Sequence, residues 1–261
     1  MSKECRHIIC YILVVLFFLT SCNKEDESAE FSGHLSIELR KFFGNGTRNT
    51  ALLVVSREEY PCSNFEIKYE TSLSGNRKLI NFSGIKLYDA CVTSVGPAKA
   101  YIDLGAIPPG SQDDLVFVVN NESVSTSLTG DHEIIALDVV KGDNTYIEIK
   151  NARITRLPGN FIWGYIHSKA DDGEVDGESF CQSLWDAGVV KEELPPGNYG
   201  FFSISDGKFE LFESEYTYLA ENYFLGSYDG EFGMLKDIAV EFREEYVIAI
   251  YSGLGDIFHN Q

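Results

Sequence analysis

The sequence predicts a mainly β chain, in which an antiparallel β-sandwich is followed by a smaller, β-rich α+β domain with one short helix. Three observations carry that prediction. Apolar and polar residues alternate with period two through most of the chain after residue 34, as half-buried strands require. Gly, Pro, Asn and Asp cluster between the alternating runs, where turns need them. One stretch, at 179–188, combines a helical apolar face with a stop signal.

In the first domain Leu35, Ile37 and Leu39 alternate with Ser36, Glu38 and Arg40. Runs at 51–56, 64–70, 78–82, 98–104, 114–119, 133–140 and 145–150 repeat the pattern. Turn residues stand between them at 44–47, 74–76, 108–110, 129–131 and 141–144. Short strands in succession with no helix among them build a sandwich.

Residues 153–160, around Leu157-Pro158-Gly159, read as a linker. Beyond it, 161–168 alternates as a strand. At 179–188 Phe180, Cys181, Leu184 and Trp185 share one helical face, Ser179 and Gln182 have capping-box spacing, and Gly188 supplies the stop. Strands return at 198–204 and 208–213 around an Asp206-Gly207 hairpin turn, and 237–242 with 246–252 reads as a final strand pair. The expected layout is a signal peptide at 1–21, an acidic disordered tether at 22–30, a sandwich at 31–152, the linker, and an α+β domain at 161–261.

The amino-terminal assignment rests on a change of character at Cys22. Lys3 and Arg6 precede an apolar run from Ile8 to Leu19, which is shorter than the roughly 20 residues of a membrane span and fits a secretory h-region. Leu19-Thr20-Ser21 before Cys22 resembles the lipobox of bacterial lipoproteins. The resemblance implies that the Cys22 thiol receives lipid, including palmitate, and becomes the first mature residue. Two or more acyl chains hold a protein stably on a membrane, at about 0.8 kcal/mol per buried methylene. Lys24, Glu25, Asp26, Glu27 and Glu30 then resemble the surface-export signal of Bacteroidota lipoproteins, which implies an outer-membrane location facing the exterior. The same charges also fit a plain solvated spacer.

Removing residues 1–21 takes out Lys3, Arg6 and Glu4, so 19 of the 21 basic and 39 of the 40 acidic residues stay, a net charge of −20. That balance argues against nucleic acid and against electrostatic adsorption to anionic lipid. It suits solubility, cation binding or a basic partner. Of the six cysteines, Cys62, Cys91 and Cys181 belong to the exported body, so at least one is unpaired within the chain. Cys62 and Cys91 flank expected strands and are the candidate disulfide. Cys181, on an apolar helix face, reads as a small core residue.

The chain carries no nucleophile elbow, zinc-protease helix or P-loop. His34, His132, His167 and His259 stand singly, without metal-ligand spacing. The one ligand-like spacing is Asp172, Glu174 and Asp176 followed by Gly177, which partly resembles an EF-hand calcium loop. Its twelfth position is Ser183 in place of the bidentate glutamate. Calcium is therefore the one candidate cofactor, and a solvated acidic loop before a helix is the plainer alternative. Trp163, Trp185, the run 216–224 and Tyr228 offer stacking faces for a sugar if exposed, and core packing otherwise.

An apolar residue, Pro-Pro-Gly and an alternating run occur twice, at 106–120 and 193–205. This resembles the final hairpin of transthyretin-like and immunoglobulin-like surface domains, and it also fits a common turn used twice. The function these features imply is a lipid-anchored binding or adhesion module with a glycan or protein ligand and no catalysis of its own. Two alternatives stand beside it. One is a pilin-like or pilus-accessory subunit, because fimbrilins are similar in layout and are cut at an arginine after the first strand, where this chain has Arg48. The other is a glycan-acting hydrolase, which needs only two well-placed carboxylates.

Overall fold

The computed structural model describes residues 28–29, 34–44, 47–75, 77–88, 94–142, 145–169, 177–212 and 223–260. The chain is mainly β, as the alternation predicts. No helix among the described residues is long and apolar enough to cross a membrane.

Strand β1 is Ser28–Ala29, β2 Leu35–Gly44, β3 Thr47–Tyr60, β4 Glu66–Ser74, β5 Arg77–Lys86 and β6 Gly96–Gly105. They are followed by β7 Ser111–Val119, β8 Glu122–Gly130, β9 Ile134–Lys141, β10 Ile147–Lys150 and β11 Arg153–Thr155. These form one sheet in the order β10-β2-β3-β6-β4-β5-β7-β8-β9-β11, with β1 added to β5. The two halves of the sheet meet at the single parallel pair Glu66 and Lys99. Their inward residues, such as Ile37, Val54 and Ile102 from one half and Ile80, Phe117 and Leu137 from the other, form one hydrophobic cluster. Most pairings are antiparallel, but β10 runs parallel to β2 and β5 parallel to β7.

Within this sheet three segments differ from the sequence expectation. Ser28 and Ala29, expected in a disordered tether, pair with Lys86 and Ile85 beyond the point where β7 leaves β5. Arg153–Thr155, expected in a linker, pairs with Ile134–Ala136 and buries Ile154 in the first core. Strand β8 was not expected, because "ESVSTSLTG" has little apolar content. Its inward positions are Val124, Thr126 and Leu128, and the buried Thr126 hydroxyl donates to the Leu115 carbonyl at 3.2 Å. The turn into it is Asn120-Asn121, both with positive φ, the two-residue hairpin that Asn favours.

Arg48 lies in the β2–β3 hairpin, where its backbone pairs with Phe43. The two Pro-Pro-Gly corners also differ. Gly110 adopts φ +81 before β7, whereas Gly197 has no positive φ and opens a two-residue strand. The two corners therefore share a sequence but not a backbone conformation.

The remainder consists of β12 Phe161–Ser168, α1 Glu178–Asp186, β13 Val190–Lys191, β14 Gly197–Asn198, β15 Phe202–Ser205, β16 Lys208–Leu211, β17 Tyr223–Ser227, α2 Phe232–Glu241, β18 Tyr246–Ser252 and β19 Ile257–His259. A five-stranded antiparallel sheet has the order β13-β17-β12-β18-β19, and β14-β15-β16 make a separate three-stranded sheet. Central β12 is buried on both faces. Ile162 and Ile166 pack with the helices, while Phe161 and Trp163 pack with Tyr199, Phe201, Phe202 and Phe209 of the three-stranded sheet region. Gly164 between them is obligatory, since a Cβ would stand 2.0 Å from the Ala249 carbonyl oxygen.

Helix α2 overturns the strand expected at 237–242. Leu235 and Ala239 are buried, with Ile238 and Phe242 packed beside them, a spacing of three and four that is helical. Alternation in "DIAVEF" is a fragment of that longer period. Helix α1 forms where expected, but the capping box does not: Gly177 is the N-cap, without a side-chain bond. The Ser183 hydroxyl instead donates to the Ser179 carbonyl, and Gln182 donates to Asp186. Its end is a Schellman turn, with Gly188 at φ +98 donating to Trp185 and Val189 donating to Leu184.

Candidate functional site

A cleft of about 1130 Å³ opens among α1, β17 and the β15–β16 hairpin. Each wall is fixed by packing on its far side. Phe180 and Leu184 anchor α1 in the second core, where the Phe180 ring meets Phe224 edge-on at 5.9 Å. This turns Glu178, Cys181, Gln182 and Trp185 toward the cleft. Strand β13 pairs with β17 through Lys191 and Gly226, and the Glu192 amide donates to the Leu225 carbonyl at 3.1 Å. Residues 191–194 therefore run along β17 as a rim. The Glu192 carboxylate accepts from the Ser227 hydroxyl at 2.9 Å.

The opposite wall rests on a chain of rings. Tyr199 stacks on Phe202 at 5.1 Å, Phe202 meets Phe209 at 4.7 Å, and Phe209 stacks on Tyr223 at 4.5 Å with 12° between planes. Tyr223 is 37% exposed and lines the cleft. Trp185 is half-buried and lies over Gly226, where an added Cβ would come 3.5 Å from its ring.

Cys181 faces this cleft as a free thiol. Burial pushes its pKa up to about 11, with Lys191 acting the other way and Glu178 reinforcing the rise. At neutral pH it is a protonated thiol, an unreactive state for a nucleophile. The carboxylates of Glu178, Glu192 and Glu193 and the ammonium of Lys191 supply the charge around the opening.

The sequence-predicted residues fall in three groups. Cys22, Cys91, Asp172, Glu174 and Asp176 lie outside the described residues, as does most of the aromatic run 216–224. Among the described residues no group of three or more His, Cys, Asp or Glu could hold a metal ion. Cys62 is disulfide-bonded. The chain returns beside it after the undescribed stretch, with the Ser94 hydroxyl 2.5 Å from that of Ser63.

Of the proposed stacking residues, Trp163, 1% exposed, and Tyr228 are buried in separate core clusters, whereas Trp185 and Tyr223 reach the cleft. The histidines are dispersed. His34 stacks on Tyr146 at 5.5 Å, and His259 meets the Tyr251 hydroxyl at 2.9 Å, with burial lowering its pKa. Glu178, Lys191 and Glu193 were missed by the sequence reading, because only the fold brings their segments to one opening.

Fold and cleft together define a mainly β protein whose helix-containing part carries an aromatic-lined cleft. No family model matches the chain, and no curated protein or solved structure matches it.

Proposed function

We propose that this chain is a lipid-anchored binding module of the bacterial outer membrane, attached through Cys22, with its ligand site in the cleft beside α1 and without catalysis of its own. The observation that carries the reading is the cleft itself, whose walls are held from behind by packed rings and a capped helix. Preformed concave sites with apolar walls and a few placed polar groups are where ligands bind. The raised thiol pKa of Cys181 removes the one nucleophile of that type from the cleft at neutral pH. The lipobox supports the anchor, and the acidic stretch after Cys22 supports the outward face.

The test is a thermal-melt screen of the full-length protein against glycan, peptide and small-molecule panels, beside Ser179→Trp, which fills the cleft from an exposed helix position. Ligands are expected to raise the melting temperature of the wild type and not of the variant, by mass action. A wild type that ignores every panel, or that responds identically to the variant, overturns the reading. The anchor is tested separately by Cys22→Ala, which abolishes palmitate incorporation; label that persists overturns it.

A glycan-acting hydrolase is the second reading, favoured by the three glutamates at the opening. Release of new reducing ends from a bound glycan, lost in Glu178→Gln or Glu193→Gln, would establish it.

A further inference from the structure

The lining of the cleft specifies a chemistry, and we propose that its ligand is a neutral oligosaccharide; this inference rests on the cleft being the ligand site. The first argument is size. At about 1130 Å³ the cleft stands at the upper end of ligand-pocket sizes, about 300–1,000 Å³, so it has room for a segment of a chain. The second is the pair of aromatic faces. Phe209 covers one side of the Tyr223 ring and fixes its plane, while the ring stays 37% exposed. Trp185 packs against the second core, with its Cζ3 3.5 Å from where a Gly226 Cβ would stand. Flat rings held rigidly from behind suit the apolar C–H faces of pyranose rings, which lose little freedom on stacking there.

The third argument is the mixture of polar groups. Glu178 and Glu193 accept, Lys191 donates, and Gln182, its amide held by Asp186 at 2.7 Å, adds a carbonyl oxygen. Sugar hydroxyls donate and accept at once, so they pair with both kinds. A polyanionic chain meets more carboxylates than ammonium groups here, within a protein of net charge −19. A basic peptide meets Lys191 among the residues that line the cleft with Glu178, Glu192 and Glu193.

The chain has two tryptophans, and Trp163 is 1% exposed, so under excitation selective for tryptophan a ligand-dependent change of fluorescence reports on Trp185. Full-length protein is titrated with hexasaccharides of β-1,4-glucose, α-1,4-glucose, xylose, mannose and N-acetylglucosamine, in parallel with calorimetry. At least one is expected to give a saturable fluorescence change and to slow alkylation of Cys181. Trp185→Ala and Tyr223→Ala should each weaken its calorimetric affinity about tenfold or more, and Trp185→Phe, which keeps a ring, should bind nearly as the wild type. If no hexasaccharide produces heat or a fluorescence change at millimolar concentration, the inference is overturned. A lysine-serine decapeptide that binds and is lost in Trp185→Ala would overturn the sugar and leave the cleft as the ligand site. Sugar binding untouched by every cleft variant would overturn both.

Discussion

The Lys41 amide donates to the Gly200 carbonyl oxygen at 3.1 Å, and this bond ties the second strand of the sandwich to the three-stranded sheet. The preceding residue strengthens the junction. The Arg40 guanidinium carbon lies 3.4 Å from the centre of the Phe212 ring, and its Nη2 pairs with Glu38. Gly200 has φ +86, and a Cβ there would come 2.7 Å from the Lys41 Cγ. The glycine is therefore required twice, for its backbone conformation and for the closeness of the strand. It also explains why the single run expected at 198–204 is divided into two short strands.

Gly200→Ala should lower stability by about 1–3 kcal/mol through left-handed strain and the clash. Adding Lys41→Ala removes the Cγ and should recover part of the loss, so the pair is non-additive. Urea midpoints of the four proteins measure this. A Gly200→Ala protein as stable as the wild type would show that the junction does not hold in solution.

The bridge to Cys62 is expected to come from Cys91, with Cys181 free. Peptide mapping without reductant decides the pairing. Closing a loop of about 30 residues stabilises the fold by about 3.6 kcal/mol in the chain-entropy model, so Cys91→Ser should lower the urea midpoint while leaving the rate of Cys181 alkylation unchanged. A peptide joining Cys62 to any other cysteine refutes the assignment.

Cys181 gives a pH dependence with a definite sign. Its pKa rises from 9.0 to about 11 on folding, chiefly by burial. Between those values the folded chain holds a proton that the unfolded chain has lost. The stability linked to this thiol is therefore present below pH 9 and lost as pH climbs toward 11. Comparing wild type with Cys181→Ala should show the wild type losing more stability over that window. Iodoacetamide should react about tenfold or more slowly with Cys181 at neutral pH than with a free thiol, the scarcer thiolate outweighing its greater nucleophilicity. Equal rates would contradict the burial.

Local signals were legible where one short window decides the structure. Asp206-Gly207 reads as a hairpin turn, and both residues adopt positive φ between Ser205 and Lys208. Strand β12 matches its expected range because bulky apolar residues bounded by turns leave little choice. Strand β8 failed because its Ser and Thr residues take their inward places through tertiary pairing, with Thr126 satisfied by a backbone carbonyl. Helix α2 failed because six residues of a 3.6 period imitate alternation. The cleft was legible only in part. Trp185 and Tyr223 could be named as aromatic, but Glu178, Lys191 and Glu193 gain meaning only when β13 pairs with β17 and the hairpin closes opposite.

The acidic residues Asp172, Glu174 and Asp176 precede Gly177, whose backbone is set by close packing: an added Cβ would stand 2.6 Å from the Ile166 Cδ1. Gly177 is also the N-cap of α1, without a side-chain bond. If the three side chains converge on calcium, binding raises the melting temperature as RT ln(1 + [L]/Kd). Ser183 at the twelfth position predicts affinity on the order of 10⁻⁴ to 10⁻³ M, the range of extracellular modules. Magnesium should substitute poorly, since it demands tight octahedral geometry. The measurement is a calcium titration of the full-length protein beside Asp172→Asn/Asp176→Asn. A melting temperature that rises with millimolar calcium in the wild type alone establishes the site. An equal response in the variant, or none in either, leaves the three carboxylates as solvated charges before the helix, where they favour its amino-terminal dipole.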